Sequence, residues 1–399
     1  MKILVFQHGD FGEAWRRLQS GEPESYRDQK KSVEFVASFR EEHRVLTLAV
    51  CGREHHEDLA ENLTSVGIVQ ATSASADAMA DLLDGLAPNI IICRSPNLHL
   101  LRWARRNRVP TLPIFADIFS NGGLRKLRRN LLLRATLLDP VFPCVANHSL
   151  NASLSVHRAL FFPQDRIVPW DRAALTVEPQ AKAGPGDLRT PSLFFAGMLT
   201  EAKGVGDCLQ AVRLLHDRGL RVIFRFAGPG DADPWVRKAQ TLGIANQVQF
   251  LGRIANTEVR QGMRDSDIVV VASRHDYPEG LPNTICEGLA SRTPLVISDH
   301  PAFASRLQQG RDCLIFAAGA ATSLADQVLR LMADPFLYAA LSQQSPAAYA
   351  SLYFGIEWTK LVSTFIADPE NHTGWVAAHS LRRLLQTDLQ TGASWKPTS

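Results

Sequence analysis

Two glutamates, Glu279 and Glu287, stand in one short stretch with seven residues between them. An ionised carboxylate accepts hydrogen bonds and donates none, so each suits a vicinal diol, which donates two. Gly280-Leu281-Pro282 reads as a tight turn and Asn283 as the N-cap of a helix, which places Glu279 in a loop and Glu287 in the first helical turns. Backbone groups from Gly280 to Thr284 would then meet an anion at the helix N-terminus, where free amides and the helix dipole favour negative charge. A ligand with two diols joined by a diphosphate, a sugar nucleotide, has the matching chemistry. The element that must hold these groups is the apolar run Asp267 to Ala272, DIVVVA. It reads as a buried parallel strand, and open α/β sheets bind ligands beyond the carboxyl ends of such strands.

The full stretch, PEGLPN followed three residues later by EGLASRTPLVISD, resembles the retaining GT-B glycosyltransferases of family 4. That resemblance implies a nucleoside-diphosphate sugar donor, with Glu279 on the transferred sugar and Glu287 on the nucleotide ribose. It implies further donor contacts from Gly280, Leu281, Pro282, Asn283 and Thr284. The turn from Gly197 to Gly204, GMLTEAKG, is similar to the family's phosphate-gripping segment: Lys203 matches, whereas Met198 stands where an arginine is usual. Arg253 falls where relatives contact the base or a phosphate. Asp117 ends a strand at which many relatives carry histidine, and by the same resemblance it orients the acceptor. Gly9, Asp10 and Gly12, in the loop after the first strand, would border the acceptor and the donor phosphate. The family's chemistry is front-face departure of the diphosphate with no cofactor and no metal. Asp231-Ala232-Asp233 has the spacing of a metal motif, but its setting before Pro234 reads as a turn or helix start.

Stepwise alternation of strand and helix signals gives the fold class: α/β, two facing Rossmann-like doubly wound domains with an interdomain cleft. Strands are predicted at 2–7, 45–51, 67–70, 89–93, 111–116, 142–146 and 166–168, then, beyond a gap, at 192–196, 221–227, 248–251, 267–272, 294–298 and 313–316. Residues 1–170 form the expected acceptor domain. The Pro-, Gly- and Ala-rich residues 171–191 form a linker, and 192–350 the nucleotide-sugar domain. Residues 351–368 are expected to be a helix that crosses back to the first domain, as in GT-B enzymes. Residues 369–399 read as an irregular tail, with one helix around 376–389 and a loose final ten residues.

Bulk composition excludes less than these motifs do. A net charge of +3 across 399 residues gives no global argument for a nucleic-acid partner, and no run is apolar and long enough to span a bilayer. Six cysteines without CxxC pairing read as reduced core thiols, which suits a cytoplasmic location. From Arg94 to Arg134, however, ten basic residues face one acidic residue, Asp117. Helices at 98–109 and 124–138 could present them to an anionic inner-membrane surface or a lipid-linked acceptor. Alternative readings are a GT-B-fold epimerase using His275 and Asp276, a nicotinamide oxidoreductase using Arg53, and a degenerate partner subunit that binds a sugar nucleotide without turnover.

Overall fold

The computed structural model describes residues 1–304, 306–353 and 356–391. It divides into two compact units, one built on Met1–Glu24, Asp28–Ala173 and the C-terminal helices, the other on Ala174–Tyr353 together with Ser25–Arg27.

In the first unit, strands β1 (Lys2–His8), β2 (Arg44–Val50), β3 (His55–Ala60), β4 (Leu63–Ile68), β5 (Ile90–Cys93), β6 (Thr111–Phe115), β7 (Val145–His148) and β8 (Ile167–Trp170) form one sheet. Their order is β3-β4-β2-β1-β5-β6-β7-β8, parallel except for β3. Branched side chains such as Ile3, Val5, Ile90, Ile92 and Ile114 are buried on it, as expected for a sheet covered by helices on both faces. The sequence reading missed β3 and placed β4 too late. The segment HHEDLA is polar and only half-buried because β3 is an antiparallel edge strand, where charge is tolerated and apolar periodicity is weak. Likewise the strand expected at 142–146 is Val145–His148, and residues 369–391, expected to be largely irregular, hold two helices, Thr373–His379 and Leu381–Thr391. The last eight residues of the expected loose tail lie outside the described residues.

The helix Trp358–Ala367 also belongs to this unit, separated from the preceding helix Pro335–Leu352. Trp358, Leu361, Val362 and Phe365, one helical stripe, are buried in the same core as Val5, Ile92 and Ile114. Each such side chain contributes roughly 1.5–3 kcal/mol by leaving water. Backbone bonds fix the entry of the helix: Asp171 N–H donates to Ile356 O at 2.8 Å, and Trp358 N–H to Asp171 O at 3.2 Å.

In the second unit, β9 (Ser192–Ala196), β10 (Ile223–Ala227), β11 (Val248–Gly252), β12 (Ile268–Val271), β13 (Leu295–Ser298) and β14 (Leu314–Phe316) run β11-β10-β9-β12-β13-β14, and each adjacent pair is parallel. The order reverses between β9 and β12, so the turns leaving these two strands diverge to opposite faces and open a crevice. The segment 174–191 is strapped to this unit. Glu178 N–H donates to Ala290 O at 2.8 Å, and Lys182 N–H to Ser342 Oγ at 2.7 Å. Among the described residues, no helix is long and apolar enough to cross a membrane. All six cysteines are free thiols, five of them buried, and burial pushes Cys93 and Cys144 up to about 12.

Candidate active site

The turn leaving β9 carries Lys203, and its geometry depends on the next residue. Gly204 has φ +77°, and a Cβ there would lie 2.1 Å from the Ala272 carbonyl oxygen. Glycine therefore lets the turn run against the end of β12, where the Glu279 loop begins. Arg274 ties the two together. Its Nε and Nη2 donate to the Asp207 carboxylate at 2.8 and 2.6 Å, Nη2 also reaches Glu201, and its backbone N–H bonds Ala202 O at 2.8 Å. These carboxylates hold the Arg274 guanidinium above its ordinary value, Asp207 contributing most.

Lys203 Nζ is paired with Glu279 Oε1. The same oxygen accepts from Ser273 Oγ at 2.8 Å, and the ammonium lies 4.2 Å from the centre of the Tyr277 ring. Glu279 is only 8% exposed, so its charge is held by partners rather than by water. Its loop is also fixed from below. His300 Nε2 lies 3.0 Å from Tyr277 O, and Ala302 N–H donates to His300 Nδ1 at 3.1 Å, an arrangement that requires the neutral ring protonated on Nε2. Burial first, then the nearby His275 and Lys203 charges, hold His300 below its ordinary value.

Glu287 occupies the first turns of the helix Asn283–Ala290 and is 3% exposed. Asn256 Nδ2 donates to its Oε1 at 2.7 Å, which fixes the carboxylate plane. The N-cap of this helix is Pro282, not Asn283 as expected, and Asn283 is the first helical residue. Thr284 Oγ1 donates to Ala196 O at 2.9 Å and locks the helix start onto the end of β9. A cavity of about 290 Å³ opens beside this helix start, lined by Gly197, Arg253, Asn256, Asn283, Thr284 and Glu287 among others. Free amides, a guanidinium and a carboxylate thus converge on one space, which can hold an anion and a diol together. Gly280, Leu281 and Pro282 form the connecting loop and do not line this cavity. Met198 is 44% exposed and adds no charge.

In the first unit, Asp10 caps the helix Phe11–Gln19, accepting from Glu13 N–H at 3.0 Å, and pairs with Arg53 at 3.0 Å. Burial raises its carboxyl, but the Glu13 amide, Arg53 and His55 outweigh that and keep it below its ordinary value. Asp117 follows β6 and is pinned through its backbone by Asn147, at 3.2 and 2.9 Å. Burial raises the Asp117 carboxyl, and His8 and Arg129 oppose the rise. Gly9, Asp10, Gly12 and Asp117 all lie at the carboxyl edge of one sheet. His275, an acid/base candidate of the epimerase reading, is paired with Asp299 at 2.7 Å. Asp231 accepts from Asp233 N–H at 3.0 Å as a helix start, in the manner of a turn.

Asn256, Ser273, Tyr277 and His300 were not found by sequence reasoning. Asn256 and His300 meet the Glu287 helix and the Glu279 loop only through the sheet order, whereas Ser273 and Tyr277 stand in the Glu279 loop itself and no motif singles them out.

With this geometry in hand, the comparisons are specific. Solved structures of HepE from Anabaena, one bound to UDP and glucose, superpose over 92% of this chain and 99% of theirs at 14% identity, with a TM-score of 0.64 for that complex. The fold is GT-B. A sucrose-phosphate synthase from Thermosynechococcus elongatus gives a TM-score of 0.66 at 14% identity over 92% of this chain and 98% of its own. Residues 190–334 match the family model described as Glycosyl transferases group 1. Among sequence relatives, the alpha-D-kanosaminyltransferase of Streptomyces kanamyceticus is 27% identical over 272 residues, 62% of this chain and 69% of that protein. An amylovoran biosynthesis glycosyltransferase of Erwinia amylovora is 27% identical over 33% of this chain and 34% of its own length. Family match and GT-B fold together support a glycosyltransferase.

Proposed function

We propose that this GT-B chain transfers a hexose-type sugar from a nucleoside-diphosphate sugar to a hydroxyl acceptor, with retention of the anomeric configuration and with no metal in the transfer. One observation carries the reading: Lys203 and Glu279 meet at the β9/β12 crevice, and Glu287 lines the cavity beside the same helix start. In the free protein each charge of the pair compensates the other. When donor binds, its diphosphate takes over Lys203 and backbone groups between Gly280 and Thr284, and Glu279 turns to hydroxyls of the transferred sugar. Glu287, oriented by Asn256, accepts from the ribose diol, and Arg253 attends the base or a phosphate. The diphosphate then leaves the anomeric carbon on the face at which the acceptor oxygen arrives. The C–O bond to phosphate breaks as the C–O bond to acceptor forms, and the acceptor proton passes to the departing phosphate oxygen. Lys203 stabilises the charge that develops there. The first unit serves the acceptor, through Asp117, Gly9 and Asp10 of the loop after β1, and Gly12, which lies in the first turn of the helix Phe11–Gln19 rather than in that loop.

The acceptor class we propose is a lipid-linked or envelope glycan, handled from the cytoplasmic face. The support is the helix Leu124–Leu137, which exposes Arg125, Lys126, Arg128 and Arg129 beside Leu124, the leucine being 86% exposed, and Leu131 and Leu132. Basic and apolar side chains together suit an anionic lipid surface.

The test is incubation with UDP- and GDP-hexoses and with saccharide and lipid-linked acceptors, following nucleoside diphosphate release and reading the product anomer by proton NMR. Acceptor-dependent release with the donor anomer kept agrees with the reading, and an inverted product contradicts retention.

A further inference from the structure

A second cluster of chemistry-bearing side chains lies at one corner of the first unit's sheet. Asp10 follows β1, Cys51 follows β2, and His55 and Glu57 start β3, which pairs antiparallel with β4 so that its first residues return to the carboxyl edge of β1 and β2. Donor atoms of Asp10, Cys51 and His55 all lie within 4.8 Å of one another. His55 Nε2 is 3.8 Å from Asp10 Oδ1 and 3.9 Å from Glu57 Oε1.

The donor atoms crowd together at this corner. At Gly12 an added Cβ would sit 2.7 Å from Glu57 Oε1, 3.1 Å from Ser65 Oγ and 3.3 Å from Asp10 Oδ1, so glycine lets these oxygens close in on the helix start. The His55 ring lies over Gly67, its Nδ1 is buried without a hydrogen-bond partner, and its Nε2 lies 3.1 Å from Ser65 Oγ. An ion at Nε2 would take the place of that Ser65 contact.

We propose that Asp10, Cys51, His55 and Glu57 form a binding site for a divalent cation of the zinc class, which fixes the turn from Gly9 into the helix Phe11–Gln19. The donor set decides the class, since thiolate with imidazole and carboxylate is the chemistry of zinc rather than of calcium or magnesium. Tetrahedral bonds to such donors separate them by about 3.3–3.6 Å, so the histidine–carboxylate distances need to close by only a few tenths of an ångström. Half-buried Cys51, whose Sγ lies within 4.8 Å of the Asp10 and His55 donors and now faces Arg53 O at 3.4 Å, supplies the thiolate. Arg53 and Arg16 now neutralise Asp10 and Glu57, and the ion takes their place. Binding deprotonates the thiol and releases its proton. The ion has no part in sugar transfer, and its test reads metal binding, so this inference and the transfer reading fail separately.

The experiment is titration of chelator-treated, desalted protein with Co²⁺, followed by absorption, and then displacement by Zn²⁺. A saturable single site with thiolate-to-cobalt charge-transfer absorption is expected. Cys51→Ser abolishes that absorption and weakens Zn²⁺ binding about tenfold or more, and His55→Gln does likewise for affinity. Arg53→Ala, which removes a competing cation, tightens it. Absence of the charge-transfer band in the wild-type chain, or its persistence in Cys51→Ser with a native circular dichroism spectrum, overturns the assignment.

Discussion

Lys203 and Glu279, 76 residues apart in the chain, are joined as a largely buried ion pair at the carboxyl edge of the second sheet. Ser273 and the Tyr277 ring fix that pair, so neither charge is offered to solvent as a mobile surface group. Such a pair is poised to separate only for a ligand that replaces both partners at once, an anion for the lysine and hydroxyl donors for the glutamate.

Replacing Lys203 by Met should therefore impair turnover more than fold. Removal of one cationic contact to a leaving group costs about 10²–10³ in kcat. Initial rates of nucleoside diphosphate release, with thermal unfolding as control, check this. A Lys203→Met enzyme with wild-type kcat would remove the lysine from the mechanism.

His300 should give the second unit an acid-sensitive limb. The groups facing it are the Tyr277 carbonyl and Glu279, which favour the charged ring, and His275 and Lys203, which together with burial oppose it more strongly. Its folded-state value is thus below the unfolded 6.5, and the unfolded chain binds the extra proton in the interval between them. Stability from this group is complete above the unfolded value and is lost as pH falls through the folded one. Urea unfolding at a series of pH values should show that loss, and His300→Gln should flatten it. An unchanged slope in the variant contradicts the assignment.

Phe365 lies fully buried in the first unit's core although it belongs to the C-terminal part of the chain. Phe365→Ala should cost about 3–5 kcal/mol of that unit's stability. Hydrogen exchange resolved by segment is the appropriate check: protection should fall in β1 and β5 and hold in β9 and β12. Uniform loss in both units would show that they unfold together.

Membrane attachment through Leu124–Leu137 predicts sedimentation with vesicles containing anionic phospholipid and release by salt. Arg128→Ala and Arg129→Ala should each lower the partition about fivefold, from roughly 1 kcal/mol per surface charge. Equal binding to neutral vesicles, or none to anionic ones, would exclude an electrostatic surface.

Much of this was legible in the chain because the decisive residues are neighbours in it. Glu279, the Gly280–Pro282 turn and Glu287 follow one strand without interruption, so spacing alone predicts a loop carboxylate and a helical one. The apolar strands were equally plain, since burial on both faces leaves near-continuous Val and Ile. What stayed hidden depends on sheet order. Asn256 reaches Glu287 from after β11, and His300 reaches the Glu279 loop from after β13, contacts that no local pattern encodes. Strand β3 escaped notice because an edge strand of His, Glu and Asp has no apolar period, and with it went the cluster around His55. The N-cap was misassigned since Asn283 has the composition of a cap, whereas Pro282, with its fixed φ, occupies the position.

A donor site built on Glu287 is best put to the test by calorimetric titration. Wild-type protein and Glu287→Ala are each titrated with UDP, GDP and their hexose conjugates in metal-free buffer. Micromolar binding of one nucleotide by the wild-type chain is expected, with binding at least tenfold weaker in the variant, which has lost a charge-assisted hydrogen-bond acceptor. Equal affinity in the two proteins, or binding of neither nucleotide by the folded wild-type chain, would contradict it.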